Sequence, residues 1–296
     1  MPTDNGDALV ALYWTVSGPV EVHEGREWSL FDLRERCEQA ARSGFEGIGI
    51  WHADLEHVLE TRTLPEVKEL LDDNGLEYLE LECLLDWFLE PGDERRRVAD
   101  ERRELLFEAA AALDAHHIKV ANIFGHPCDL PLLTERFAEL CALGAERHEA
   151  RMVYELMPFD VNVHDLDTAV SVVEAAGTPN AGIAIDTWHM GKLGIEPNDL
   201  RVPAGLLGWV ELSDGCYQNL PDLVDETVNH RRLPGDGEFP ILDYVAACRE
   251  LGYDGPWGVE VLSEELRNLP IEQIFDRAYE TSSAQLTAAR EGSPSA

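Results

Sequence analysis

Short apolar runs rich in β-branched residues alternate with longer amphipathic stretches from one end of the chain to the other. The runs at residues 9–16, 47–51, 76–81, 118–124, 152–156, 182–186, 208–212 and 258–262 predict eight strands. Between them, apolar residues spaced three and four apart predict helices over 30–42, 64–73, 94–113, 130–147, 166–176 and 241–251. Ser29 is placed to cap the first of these helices. Gly44, Gly75 and Gly252 follow helix ends, where a left-handed residue closes the last turn.

Strands alternating with helices pair in parallel through βαβ units, which places the chain in the α/β class. An open, doubly wound sheet uses the same elements. Here, however, the first strand is followed by Ser17-Gly18-Pro19 and not by the glycine-rich turn that cradles a phosphate. Eight units in 296 residues fit a closed (β/α)8 TIM barrel, an architecture that needs roughly 250 residues. With no internal repeat and no linker-like stretch, the expectation is a single domain over 1–296 with its core at about 8–286. A last helix at about 271–289 should pack over the barrel, leaving 291–296 as a frayed tail.

Charge changes this picture more than composition does. Fifty-eight acidic residues against 23 basic ones give a formal net charge of −35, and Lys68, Lys119 and Lys192 are the only lysines. Such a surface repels nucleic acid and anionic lipid, both of which need basic patches. The regular apolar segments, in a chain that is 45% hydrophobic, exclude disorder for most of its length. The balance resembles that of proteins from salt-accumulating cells, where screening shrinks self-repulsion. No apolar run approaches the ~20 residues of a membrane span. Residues 1–7 are polar and acidic, unlike a secretory signal, so the expected location is the cytoplasm. Cys37, Cys83, Cys128, Cys141, Cys216 and Cys248 are spread singly, the pattern of reduced and mostly buried thiols.

In a parallel barrel the chemistry lies at the carboxyl ends of the strands. Four acids end or interrupt apolar strands in the second half: Glu155, Asp186, Glu211 and Glu260. An acid inside such a strand is costly to bury unless it is paired or binds a metal. Four on consecutive strands converge on one point once the barrel closes, and oxygen ligands suit a hard divalent cation. Ser213 and Asp214 follow Glu211 closely and compete with it for the inward position. His52, Glu82, Asp86 and His126 follow earlier strands near the mouth. Trp14, Trp51, Trp87 and Trp188 are candidates for the pocket wall.

Five runs carry a family resemblance: Tyr154-Glu155-Leu156-Met157-Pro158, Asp186-Thr187-Trp188-His189-Met190, Glu211-Leu212-Ser213-Asp214-Gly215, Arg231-Arg232-Leu233-Pro234-Gly235-Asp236-Gly237-Glu238 and Gly258-Val259-Glu260-Val261. In this order they resemble the xylose isomerase-like superfamily of TIM barrels, and within it the sugar phosphate isomerase/epimerase group. The resemblance extends from about residue 9 to 286. It implies one divalent metal, Mn²⁺ or Mg²⁺ with Co²⁺ or Zn²⁺ as alternatives, held by Glu155, Asp186, Glu211 and Glu260. Glu211 stands where that group usually has His or Gln, so it either ligates directly or takes a proton or a bridging water instead. The resemblance also implies that His189, Arg231 and Arg232 contact substrate, with His52, Trp14 and His126 nearby, and that Glu155 and Glu260 exchange a proton with it.

A divalent ion chelating a carbonyl and its neighbouring hydroxyl acidifies the C–H between them by stabilising an enediolate. The expected function is therefore a metal-dependent isomerase or epimerase of a sugar or keto-sugar, phosphorylated or not. The alternative is a lyase like the inosose and dehydroshikimate dehydratases of this superfamily. Related epimerases carry a further glutamate beyond the strand-five one, where this chain offers only Asp160. A nuclease resembling endonuclease IV needs early-strand histidines and a basic cradle, and −35 opposes it. A non-catalytic sugar-binding barrel is opposed by the retained acids. The expected partner is a small sugar or polyol, with monomer and homo-oligomer both open. The charge predicts loss of structure or activity when salt is removed. Thermal melts across a salt series check this, and an unchanged melting temperature in dilute buffer contradicts it.

Overall fold

The computed structural model describes residues 7–22, 25–148, 150–203 and 205–292. Eight strands close into a barrel in sequential order, every neighbouring pair parallel. They are β1 (Leu9–Ala11), β2 (Gly47–Trp51), β3 (Tyr78–Leu84), β4 (His117–Val120), β5 (Met152–Glu155), β6 (Ala181–Asp186), β7 (Leu207–Leu212) and β8 (Trp257–Val259). β8 returns to β1 through Leu9↔Trp257, Val10↔Gly258 and Ala11↔Val259. This is the TIM barrel expected from the alternation of strands and helices.

The helices are α1 (Tyr13–Val16), α2 (Leu33–Ser43), α3 (His52–Leu59), α4 (Leu64–Asp73), α5 (Glu94–Leu113), α6 (Leu130–His148), α7 (Leu166–Ala176), α8 (Thr187–Leu193), α9 (Leu223–Asn229), α10 (Ile241–Glu250), α11 (Glu264–Arg267) and α12 (Ile271–Gly292). The longer ones lay an apolar stripe on the outer face of the strands and form one continuous core with it. α12 packs against β1, α2 and α10 and so covers the seam where the barrel closes. None of the described helices is long and apolar enough to cross a membrane.

Several expectations shift in detail. The first strand stops at Ala11, and residues 13–16 form a helical turn that carries Trp14 into the mouth. β3 starts later than expected and runs on to Leu84, which places Glu80 and Glu82 inside a strand. α3 and α8 were not foreseen because each begins on the residue after a strand, with no polar break to announce it. Ser29 does not cap α2. Asp32 does, accepting from the Arg34 amide, because Ser29 Oγ is taken up donating to the Ser17 carbonyl. Gly44, Gly75 and Gly252 do adopt positive φ, at 104°, 64° and 89°. Of the expected frayed tail, Glu291 and Gly292 belong to α12, and 293–296 lie outside the described residues.

Inside the barrel, Val10, Leu12, Val153, Ala184 and Trp209 pack into a small apolar plug beneath the carboxyl ends of the strands. Trp209 fits because β8 carries glycine opposite it. A Cβ on Gly258 would lie 2.7 Å from Leu12 Cδ1 and 3.0 Å from Trp209 Cζ2. Gly258→Ala is therefore expected to destabilise the fold by about 1–3 kcal/mol through overpacking, measured by urea unfolding at constant salt. Wild-type stability in that variant contradicts this account of the plug.

Candidate metal centre

The register sets the site. Glu155 is the last residue of β5 and Asp186 the last of β6. Asp186 pairs with Glu211 on β7, and Glu211 with Gly258 on β8, two residues before Glu260, which follows the end of that strand. All four acids are buried, at 1%, 1%, 0% and 4% exposure. One carboxylate oxygen from each of Glu155, Asp186, Glu211 and Glu260 lies within 4.8 Å of the others. Glu155, Asp186 and His189 form a second, overlapping group of the same kind. The sequence-level expectation of convergence is met.

Two basic side chains enter this acidic cluster. Arg231 Nη1 donates to Asp186 Oδ2 at 2.8 Å and to Glu260 Oε2 at 3.0 Å. Its Nη2 donates to Thr227 Oγ1 and lies 3.2 Å from His189 Nε2, and its guanidinium sits 4.8 Å from the centre of the Trp188 ring. Lys119, on β4, donates to Glu260 Oε1 at 2.8 Å and to Glu211 Oε1 at 2.9 Å. It also lies 3.2 Å from Glu80, 3.2 Å from Glu82 and 3.7 Å from Glu155. Sequence reasoning counted Lys119 only as a scarce residue. A lysine in the middle of the apolar run Ile118-Lys119-Val120 was the available signal, and the inward face of that run was not assigned.

Six buried carboxylates (Glu80, Glu82, Glu155, Asp186, Glu211, Glu260) thus face two buried cations, Lys119 and Arg231. Burial pushes the Glu155 carboxyl up to about 8, Lys119 pulling it down while Glu260 and Asp186 raise it. Burial likewise holds Glu82 and Glu211 well above the carboxylate range. Glu80 is held low in spite of burial, by Lys119 and His117. Lys119 is held well above its ordinary value because four glutamates outweigh its desolvation, so it is a charged ammonium and not a nucleophile. Burial and Arg231 push His189 well below its usual value, leaving it neutral.

The residues present fit a divalent cation. Glu155 Oε1, Glu211 Oε2 and His189 Nδ1 are buried and have no hydrogen-bond partner. Unpaired oxygens on buried carboxylates are costly, and an oxygen-ligated hard cation satisfies them while offsetting the excess negative charge. Glu155, Asp186, Glu211 and Glu260 would hold it. Asp214 is not an alternative to Glu211: its carboxylate accepts from the amides of Gly215, Gly235, Gly237 and Phe239, and so pins the loop that delivers Arg231.

Above the acids opens a cavity of about 400 Å³. Glu82, Lys119, Glu155, Arg231 and Glu260 form its floor. Trp14, Trp51, Phe124, Met157, Phe159 and Leu262 are among the apolar side chains of its wall. Trp14 is therefore a wall residue, its ring tilted against that of Trp51 with centroids 4.8 Å apart.

Three expected substrate contacts are not brought here. His52 starts α3, which turns its ring behind Trp51 at 4.2 Å, and burial pushes its pKa down to about 3. His126 pairs with Asp86 at 2.8 Å and with Arg95 on the outer loops. Arg232 points away from Arg231, as neighbours on an extended segment do, and donates to the Asp236 carbonyl at 3.3 Å. Trp87 packs in the outer core against Phe137, and Trp188 lies under Arg231.

The model of the xylose isomerase-like TIM barrel matches residues 37–284. The chain belongs to that family. This xylose isomerase-like barrel is similar to a 3-dehydroshikimate dehydratase of Pseudomonas aeruginosa, with 27% identity over 246 residues, covering 80% of this chain and 37% of the relative. It thus spans little more than a third of that relative's length. An inosose isomerase of Bacillus velezensis is 23% identical over 273 residues, covering 86% of this chain and 91% of its own. Among solved structures, the IOLI protein, described with a bound zinc atom, superposes with a TM-score of 0.81 at 17% identity, over 95% of this chain and 98% of its own.

Proton and metal compete for this xylose isomerase-like centre. Unfolded, Glu155 ionises near 4.5; folded and metal-free, it keeps its proton up to about 8. Its contribution to metal-free stability is therefore full below about 4.5 and is lost as pH rises through about 8. A divalent ion bound there would have to displace that proton, and Glu211, raised as well, would give up another. Affinity for Mn²⁺ is expected to climb by about tenfold or more per pH unit between pH 6 and 8, as read by calorimetric titration. Affinity that stays flat between pH 6 and 8 contradicts this.

Proposed function

We propose that the protein is a divalent-metal-dependent isomerase or epimerase that moves a proton on the carbon beside a carbonyl of a small sugar or keto-sugar. The observation that carries this reading is the meeting of Glu155, Asp186, Glu211 and Glu260 within 4.8 Å, with Glu155 and Glu260 exposed at the charged floor of a cavity whose wall is mostly apolar. When bound there, a divalent ion supplies Lewis-acid polarisation of the substrate oxygens.

The chain's own residues supply the rest. Glu155 and Glu260 both line the cavity floor, from β5 and from the end of β8, so a substrate carbon above the floor lies between two carboxyl groups. One removes the proton and the other returns it. The Lys119 and Arg231 cations hold both oxygens of Glu260 in place. The aromatic and aliphatic wall excludes water from the reacting carbon.

A specific observation favours a second reading, in which the same proton abstraction is followed by loss of a β-hydroxyl. Among the described residues the wall above the floor offers few partners for hydroxyl groups, with Thr227 its one hydroxyl-bearing side chain, and Thr227 already accepts from Arg231. That suits a substrate with few oxygens beyond the reacting pair, and dehydratases stand among the relatives. The wall also speaks against a phosphorylated substrate, since both cations that line the cavity are already engaged by carboxylates. A nuclease reading loses its early-strand histidines, because His52 and His126 both lie away from the centre.

A screen of keto-sugars, inososes and dehydroshikimate at high salt separates the two readings. Elimination yields a conjugated carbonyl that absorbs in the ultraviolet, and isomerisation conserves composition. On the substrate so found, Glu155→Gln and Glu260→Gln are each expected to lower kcat by at least about two orders of magnitude. Chelation should abolish turnover, with Mn²⁺ or Mg²⁺ restoring it. Unimpaired turnover in both variants removes this mechanism.

A further inference from the structure

Five carboxylates from four positions around the barrel converge on one ammonium group. Glu80 and Glu82 come from β3, Glu155 from β5, Glu211 from β7 and Glu260 from the end of β8, at 2.8–3.7 Å from Lys119 Nζ. Lys119 is 2% exposed. An ammonium has three hydrogens to donate, fewer than the carboxylates around it, so the arrangement resembles the oxygen shell of a cation more than a set of directed hydrogen bonds. Three of the five, Glu155, Glu211 and Glu260, also belong to the four-acid metal set.

We propose that Lys119 is a built-in second cation of the centre, which sorts the oxygens of the shared carboxylates and limits the site to one divalent ion. This rests on the metal reading given above.

The sorting is visible atom by atom. Glu211 Oε1 accepts from Lys119 and from Trp209 Nε1, each at 2.9 Å, and its Oε2 is left bare. Glu155 turns Oε2 towards Lys119 at 3.7 Å, while its Oε1 faces His189 Nδ1 at 3.4 Å and has no hydrogen-bond partner. In both, one oxygen faces the ammonium and the opposite one makes no hydrogen bond, so it can serve as a ligand. The positive charge also offsets one carboxylate of a four-carboxylate ligand set and repels any further cation from Glu80 and Glu82. Lys119 is thus a positioning residue that acts through the ligands.

A structural role and a charge role predict opposite signs. If Lys119 merely packs the floor, its removal disorders the ligands and weakens metal binding. If it is the second cation, Lys119→Met, which keeps the chain length without the charge, leaves the shared carboxylates uncompensated. Metal-free protein should then melt at a lower temperature, bind Mn²⁺ at least about tenfold more tightly and take up a second ion where the wild type takes one. Adding Glu211→Gln to Lys119→Met removes the opposite charge and should return binding to one ion, within about threefold of wild-type affinity.

The test is calorimetric titration of the three metal-free proteins with Mn²⁺, alongside their melting curves. A single variant that folds only when Mn²⁺ is present also supports the proposal. A folded Lys119→Met protein that binds one ion with wild-type or weaker affinity overturns it and leaves the metal reading standing. If neither variant folds or binds Mn²⁺, Lys119 is a packing residue and the proposal fails. A wild type that takes up no ion removes the metal reading itself, and this proposal with it.

Discussion

Charge balance in a closed space governs this molecule. Six carboxylates lie at 0–4% exposure inside a barrel, above an apolar plug that cannot solvate them. An isolated ionised carboxylate in such surroundings is prohibitively costly, so each must be paired, protonated or bound to a cation. The chain uses the first two means visibly. Lys119 and Arg231 pair with five and two of these acids, while burial holds Glu82, Glu155 and Glu211 towards the protonated form. The bare oxygens of Glu155 and Glu211 mark where the third is needed.

Much of the surrounding structure serves to keep these few groups where they are. Arg231 reaches the centre because its segment is anchored twice, through the backbone pairing of Asp214 with Arg232 and through the three amides, of Gly235, Gly237 and Phe239, that the Asp214 carboxylate gathers from the glycine-rich loop. The Trp188 ring lies against the guanidinium, and Trp209 in the apolar plug reaches up to hold Glu211. Asp186 has divided duties. Oδ1 caps α8 by accepting from Trp188 and, more weakly, from His189, while Oδ2 faces the cluster. The helix thus fixes the carboxylate that helps to define the site, and the site's own residue begins the helix.

The second half of this arrangement was legible in the sequence and the first half was not, for physical reasons. Glu155, Asp186, Glu211 and Glu260 end or interrupt short apolar runs, and a charge in such a run has few destinations other than a shared site. β3 hid its acids because the run Tyr78–Leu84 alternates glutamate with leucine, and that alternation reads equally well as a strand with one face in water. Lys119 was hidden for the related reason that a lone lysine in a strand carries no indication of its face. His52 and His126 were misplaced because proximity to a strand end was taken as proximity to the centre. His52 opens α3 with its ring against Trp51, and His126 is engaged by Asp86 and Arg95; neither lines the cavity. The Arg231-Arg232 pair divided because an extended backbone sends adjacent side chains to opposite sides.

The polarity of the cavity constrains its chemistry further than the acid cluster alone does. Charge is confined to the floor, while the wall is built from tryptophan, phenylalanine, methionine and aliphatic side chains. A substrate can therefore satisfy its oxygens only by presenting them downward, and its remaining atoms meet hydrocarbon. A polyol with hydroxyls on every carbon would leave several of them unpaired against Trp14, Trp51 and Leu262, at a cost that accumulates with each one. A molecule with its oxygens clustered at one edge loses nothing. Under the proposed function the floor would set which bond is activated, and the wall which molecules can lie over it. Proton abstraction beside a carbonyl is common to isomerisation and elimination, so these two outcomes differ in what the substrate carries on the next carbon. That is a property of the molecule the wall admits, and the acids beneath serve either.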